Sequence, residues 1–206
     1  MKSKAFLWLA KMVVLCLAAV ASASAQDSRP LKIGGTINDY TTLTPGAQIW
    51  EMRGHWSVKL NHDGTADFTA ELNMEHSDVA MINGATSRTP HTHHIRLTGA
   101  QVSDASICPT ASAPYSPTTT TGFSITGMAS TTGNGTNAPF APQGQQSLLT
   151  VCVTGSDQVA LSNITLQFPA LLADGVTKNP AAGHFGTQPI NGVVVRAKAR
   201  GDGDDR

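Results

Sequence analysis

Histidines at three positions in the middle of the chain have the residue type and the spacing of a metal site. His91 and His93 are two positions apart, so on a β-strand their imidazoles lie on the same face. His76 ends the preceding alternating segment and reaches the same end of a sheet if the two segments pair as antiparallel neighbours. Three converging imidazoles can bind Zn²⁺ or Cu²⁺ and leave one coordination position for water or a substrate. These three histidines are therefore candidate ligands of a divalent metal.

A structural role is the alternative for the same cluster. The imidazoles would then hydrogen-bond to the connection 77–90 and cap the core, and a further alternative is general acid–base chemistry. All seven histidines of the chain follow residue 25, an enrichment that favours metal binding. His184 lies in a glycine-rich segment between Gly183 and Gly186, and it is a candidate fourth ligand.

Two tryptophans, Trp50 and Trp56, fall on the apolar face of an alternating segment. We expect them in the core; if the domain is an open barrel, they are instead candidate contacts for an apolar or sugar-like ligand. The common catalytic motifs are absent from the sequence, including Gly-x-Ser-x-Gly, His-Glu-x-x-His, a phosphate-binding Gly-rich loop and Cys-x-x-Cys. The leading expectation is a non-catalytic binding or structural domain. The alternatives are a metal-binding protein or metalloenzyme and a small-ligand-binding β-barrel.

The elements that must position these residues are best defined over 49–76. Residues 49–61 and 65–76 both alternate apolar and polar side chains, which predicts two half-buried strands. Asn61-His62-Asp63-Gly64 has the composition of a three-residue hairpin loop with glycine in the left-handed region. This turn places Trp56 opposite Ala70, whereas a loop one residue shorter or longer would place apolar residues opposite polar ones.

The next strand, 91–98, is predicted to pair antiparallel with 65–76. The simplest register places His76 opposite His91 and Met74 opposite His93, which gathers the histidines beside Trp50. A slip of two residues keeps the same faces but changes these contacts.

Short alternating or β-branched segments separated by Gly, Pro, Asn and Asp recur along the rest of the chain, which predicts an all-β fold. We expect a single-domain antiparallel β-sandwich or flattened β-barrel of about eight strands over residues 26–200. Residues 109–146 are rich in Thr, Ser, Pro and Gly and are predicted to form a surface excursion, and the tail 201–206 is predicted to be disordered. The predicted strands are 31–38, 49–61, 65–76, 91–98, 121–128, 147–154, 158–168 and 192–199.

The first 25 residues have the pattern of a secretory signal peptide. Lysines precede an apolar segment at Met12–Val20, and Ala23-Ser24-Ala25 predicts cleavage near Ala25-Gln26. The segment is shorter than the ~20 apolar residues that a membrane span needs. We therefore expect a secreted or periplasmic protein without membrane anchoring after cleavage.

Export leaves two cysteines, Cys108 and Cys152, which we expect to form a disulfide because thiols oxidise outside the cytosol. Cleavage would leave 11 basic and 14 acidic residues, a balance that argues against a nucleic-acid partner. The expected partner is a small molecule or an extracellular or periplasmic protein.

Overall fold

The computed structural model describes residues 31–41, 49–108, 121–134, 140, 144–155 and 162–199. Over these ranges the chain forms eight β-strands, two short α-helices and a 3₁₀ turn at Ala105–Ile107. Helix α1 (Asp78–Ile82) connects the third strand to the fourth, and helix α2 (Pro180–Phe185) connects the seventh to the eighth. The strands are β1 (Leu31–Thr41), β2 (Trp50–Leu60), β3 (Thr65–His76), β4 (His91–Asp104), β5 (Thr121–Asn134), β6 (Gln145–Gly155), β7 (Asn163–Gln167) and β8 (Ile190–Ala199).

Pairing between the first and last strands decides the architecture. Each strand is antiparallel to its neighbours in sequence, and β8 returns to pair with β1, for example through Ile37 and Gly192. The prediction of an antiparallel all-β domain is confirmed, and the structure is a closed barrel rather than a sandwich. Because the barrel is closed, each of its eight strands has a paired neighbour on both sides.

The predicted hairpin has the predicted register. Trp56 pairs with Ala70, Val58 with Phe68, and Asn61 at the turn donates its backbone N–H to the Thr65 carbonyl at 2.8 Å. Gly64 has φ +79°, the left-handed conformation that the three-residue loop requires. The alternation of apolar and polar residues in β2 and β3 was therefore sufficient to define their pairing.

The predicted register between β3 and β4 is wrong by two residues. Met74, rather than His76, lies opposite His91, and Leu72 lies opposite His93. The backbone N–H of His76 donates instead to the Arg88 carbonyl in the connection between the strands, at 2.9 Å. This slip keeps every side chain on its predicted face because it is an even number of residues.

Strand β5 lies inside the predicted surface excursion. The strand predicted at 121–128 is confirmed and continues to Asn134, so residues 129–134 belong to the barrel wall and not to the surface excursion predicted for 109–146. Phe123, Ile125 and Ala129 face the core at alternate positions among the threonines and serines. The segment 109–120, the predicted signal peptide 1–25 and the predicted disordered tail 201–206 lie outside the described residues.

The predicted disulfide between Cys108 and Cys152 is confirmed. With Ala105 these cysteines form a small buried cluster separate from the main core, because Cys152 alternates with the inward-facing Val151 and Val153. Among the described residues no helix is long and apolar enough to cross a membrane.

Side chains from every strand fill the barrel interior. Trp56 is only 2 % exposed and lies in this core, as expected. Gly54 faces Leu72, and a Cβ atom on Gly54 would lie 1.9 Å from the carbonyl oxygen of Glu71. The largest fully buried side chains are Phe68, Phe168, Phe185, Ile33, Ile37, Met52, Leu72, Met74, Ile95, Ile125, Leu149 and Ile164.

Helix α2 packs into one end of this core. Phe185 is 1 % exposed and stacks on Phe168, with ring centroids 5.0 Å apart. Asn179, which precedes the helix, donates its side-chain N–H to the Leu148 carbonyl at 2.8 Å. These contacts hold the helix at the end of the barrel where β4 begins, and they bring His184 to the histidines of that strand.

Candidate metal centre

Strand β4 supplies two inward-facing imidazoles. His91 and His93 are both buried, because the face that they occupy continues into the core residues Ile95 and Leu97. The Nδ1 atom of His91 lies 2.9 Å from the carbonyl oxygen of Thr89, a residue two positions before the start of the strand. Backbone geometry at the start of β4 therefore fixes the orientation of these rings.

Backbone carbonyls also define the protonation of the two rings. His91 contacts the Thr89 oxygen, and His93 contacts the Thr132 oxygen through its Nδ1 atom at 3.0 Å. A carbonyl oxygen only accepts hydrogen bonds, so both Nδ1 atoms must carry the proton. In the neutral rings, each Nε2 atom then presents a lone pair, which is the form in which histidine binds metals.

His184 on α2 completes a group of three. Its Nε2 atom lies 3.3 Å from Nε2 of His91 and 2.9 Å from Nε2 of His93. The three ligand atoms all lie within 4.8 Å of one another. Two nitrogens on one tetrahedral zinc ion, each bonded at 2.0–2.1 Å, lie about 3.3 Å apart. The two nitrogen–nitrogen distances at His184 are close to this value, whereas the ligand atoms of the group are up to 4.8 Å apart, so a shared ion would draw His91 and His93 closer together.

Hydrogen bonding among the histidines alone does not satisfy this arrangement. His91 and His93 both present Nε2 lone pairs, and the Nε2 atom of His184 can donate at most one hydrogen to one of them. The other buried lone pair then faces a nitrogen that offers it no hydrogen. A metal ion that accepts all three lone pairs removes this conflict.

Burial keeps two of the rings neutral. It lowers the pKa of His184 from its ordinary 6.5 to about 3, and the neighbouring His93 and His91 act in the same direction. Burial also lowers the pKa of His93 to about 4, although its hydrogen bond to the Thr132 carbonyl acts in the opposite direction. Both imidazoles are therefore unprotonated at neutral pH, as metal ligands must be.

Aromatic side chains enclose the group. The ring of Trp50 lies 5.0 Å from that of His91, edge to face, and 6.1 Å from that of His184. Phe185 lies 5.0 Å from the ring of His93, and Phe140 lies 5.7 Å from it. This apolar surround reduces the local dielectric constant and limits the access of water.

The structure places His76 beside this group rather than in it. Its Nδ1 atom contacts the Ser87 carbonyl at 2.6 Å, and its ring lies 4.0 Å from that of Trp50. Sequence reasoning thus identified the pair on β4, but it assigned His76 as the third ligand and His184 as a fourth. The sequence spacing did not indicate that His184 would contact His91 and His93, since the position of His184 depends on how α2 packs against the core.

Other predicted site features lie elsewhere. Trp56 is a core residue, whereas Trp50 borders the histidines. A cleft of about 500 Å³ lies on the outer surface of β2, β3 and β4, and of the three histidines it reaches His91 alone. It is lined by Glu51, Arg53, Asn73, Met74, Glu75, Pro90, His91, Thr92 and Asn134.

Comparison with known proteins leaves the site to be interpreted from its own geometry. No protein-family model, no curated protein and no solved structure matches this chain.

Proposed function

We propose that this protein is an exported metal-binding protein that holds Zn²⁺ or Cu²⁺ through His91, His93 and His184. The observation that carries the proposal is the convergence of three Nε2 atoms. On His91 and His93 this atom keeps a free lone pair, because the Nδ1–H of the same ring donates to a backbone carbonyl. Histidines that bind metals usually donate the other ring N–H in this way, which fixes both tautomer and orientation. Three neutral imidazoles suit both ions.

Two features support an exported protein. The first 25 residues have the pattern of a signal peptide, and the disulfide between Cys108 and Cys152 is of the kind that persists in an oxidising compartment. Neither cysteine is then available as a metal ligand, so the proposed site uses histidine alone.

A ligand inside the barrel receives less support. Trp56 and the other inward-facing residues of the described strands pack against each other, so the interior is a core over these ranges. We therefore assign the binding function to the end of the barrel, and not to its centre.

Metal analysis of the mature chain tests the proposal. Protein from residue 26 onward, purified without a histidine tag, is equilibrated with Zn²⁺ or Cu²⁺, desalted and analysed for bound metal. We expect one ion per chain in the wild type and none in the His91→Ala/His93→Ala variant. The matched control is His55→Ala/His94→Ala, which removes two exposed histidines, one on β2 and one on β4, and should retain the ion.

If the wild type holds no more metal than the His91→Ala/His93→Ala variant, the proposal is wrong. The cluster is then structural, and a non-catalytic binding domain becomes the better description. Circular dichroism of both variants shows whether the barrel has remained folded.

A further inference from the structure

The three histidines supply three of the four ligands that a tetrahedral metal ion binds. The group that converges at the end of the barrel contains no carboxylate and no thiolate. Zinc in proteins is almost always four-coordinate, and sites with three protein ligands keep the fourth position for solvent or substrate. The source of the fourth ligand therefore determines what the site can do.

Acidic residues described at this end of the barrel already have other partners. Asp39 accepts hydrogen bonds from Asn191, and Asp174 accepts them from Thr177. Arg88 contacts both Asp78 and Glu75. None of these carboxylates belongs to the group of three histidines.

The sequence excludes a fourth ligand of the usual kinds from three further segments. Residues 42–48, between β1 and β2 in sequence, and residues 135–139 and 141–143, between β5 and β6, contain no His, Cys, Asp or Glu. Since none of the described carboxylates or thiols joins the three histidines, the fourth ligand is expected to come from solution.

Charge favours an anion in that position. Three neutral imidazoles and a divalent ion have a net charge of about +2, which apolar surroundings do not compensate. Buried charges in proteins are normally paired. Here the surroundings are the rings of Trp50, Phe140 and Phe185, none of which carries a charge.

Space at the position is restricted by the same rings. Trp50 lies on the side of His91, while Phe140 lies 5.8 Å from the ring of His184. His184 is partly exposed on the side of α2, and the cleft on β2, β3 and β4 reaches His91, so solvent can approach the site from these two sides.

We propose that the metal held by His91, His93 and His184 has an exchangeable fourth position that takes small monodentate anions and excludes bulky ones. This inference rests on the proposed metal-binding function. In the exchange, an anion such as azide displaces a metal-bound water molecule, and neither electron transfer nor proton transfer is required. The site is thus one for small inorganic anions rather than for large organic substrates.

Cobalt substitution tests this exchange. Co²⁺ replaces zinc in histidine sites and has a visible spectrum that responds to its ligands. We expect one Co²⁺ per chain and a saturable change in that spectrum on titration with azide. Benzoate at the same concentrations should cause no change, because the rings of Trp50 and Phe140 already lie 5.0 Å from His91 and 5.8 Å from His184 and compete with a further ring for the space beside the ion.

The outcomes separate this inference from the proposed function. A chain that binds no Co²⁺, Zn²⁺ or Cu²⁺ refutes both. A chain that binds Co²⁺ but shows no response to azide refutes the exchangeable position alone, and an equal response to benzoate refutes the size limit. Phe140→Ala should admit benzoate, whereas His94→Ala, which alters an exposed residue on the strand that carries His91 and His93, should behave as the wild type.

Discussion

Nε2 of His93 and Nε2 of His184 lie 2.9 Å apart, although 91 positions separate the two residues in sequence. His93 comes from the wall of the barrel and His184 from the helix that packs into its end. An ion bound between them would join these two parts of the chain. Metal binding and the packing of α2 are therefore expected to depend on each other.

His184, rather than His76, is expected to be the third metal ligand. His184→Ala should weaken Zn²⁺ binding by more than about 100-fold, because loss of an outer partner alone typically costs about 10–100-fold. His76→Ala should cause a much smaller loss, since the ring of His76 packs on Trp50 outside the group of three. Competition titration with a chromophoric chelator measures both. Equal losses in the two variants would restore His76 as a ligand.

Stability of the metal-free protein should decrease in acid. Burial lowers the pKa of His93 to about 4 and that of His184 to about 3, whereas both ionise near 6.5 in the unfolded chain. Below pH 6.5 the unfolded state therefore binds protons that the folded state does not. The free energy of unfolding should be independent of these groups above pH 6.5 and should fall as the pH decreases towards about 4 and then 3.

Denaturant unfolding of the metal-free protein at several pH values measures this effect. His184→Ala should show a shallower dependence than the wild type, because one of the two groups has been removed. An unchanged slope would mean that His184 ionises equally well in both states.

Reduction of the disulfide should destabilise the barrel without abolishing metal binding. Cys108 and Cys152 are 44 positions apart, and closure of a loop of this length stabilises the folded state by about 4 kcal/mol. Their cluster is separate from the main core, so the histidine group should remain intact. The Cys108→Ser/Cys152→Ser variant tests this: its free energy of unfolding measures the destabilisation, and its bound metal shows whether the histidine site is intact. Loss of the metal would show that the disulfide and the histidine site are coupled.

Gly54→Ala should be strongly destabilising, because the new Cβ atom would lie 1.9 Å from the carbonyl oxygen of Glu71 on the neighbouring strand. Overpacking of this kind typically costs about 1–3 kcal/mol, and here it is opposed by backbone rather than by a flexible side chain. Gly183→Ala is the control, since a Cβ atom there meets nothing within 4 Å. Thermal unfolding of the two variants makes the comparison. Similar melting temperatures would contradict the register of β2 and β3.

Sequence reasoning was most accurate where neighbouring segments of the chain pair with each other. The register of β2 and β3 follows from the turn at Gly64 and from facing pairs such as Val58 and Phe68. Between β3 and β4 the connection is longer, and the loop binds the end of β3 through Arg88. The alternation determined the faces there, but two registers that differ by two residues satisfy it equally.

The strand β5 was predicted only as 121–128, and the composition of the segment hid its continuation to Asn134. Thr, Ser and Gly dominate Thr121–Asn134, and such a segment resembles a surface loop. The side chains at the inward positions of this strand can be small where large side chains of neighbouring strands fill the space. Gly127, for example, faces Leu97, whose side chain would lie 2.9 Å from an added Cβ atom.

Local pattern was enough to establish an antiparallel all-β domain, the inward pair His91 and His93, and the pairing of Cys108 with Cys152. Alternation has a period of two residues, and it acts between neighbouring strands. Closure of the barrel through β1 and β8, and the arrival of His184 at the pair on β4, depend on contacts between distant parts of the chain. No local period encodes such contacts. They arise when Phe185 packs on Phe168 and β8 pairs with β1, and both contacts require the other strands of the barrel to be in place.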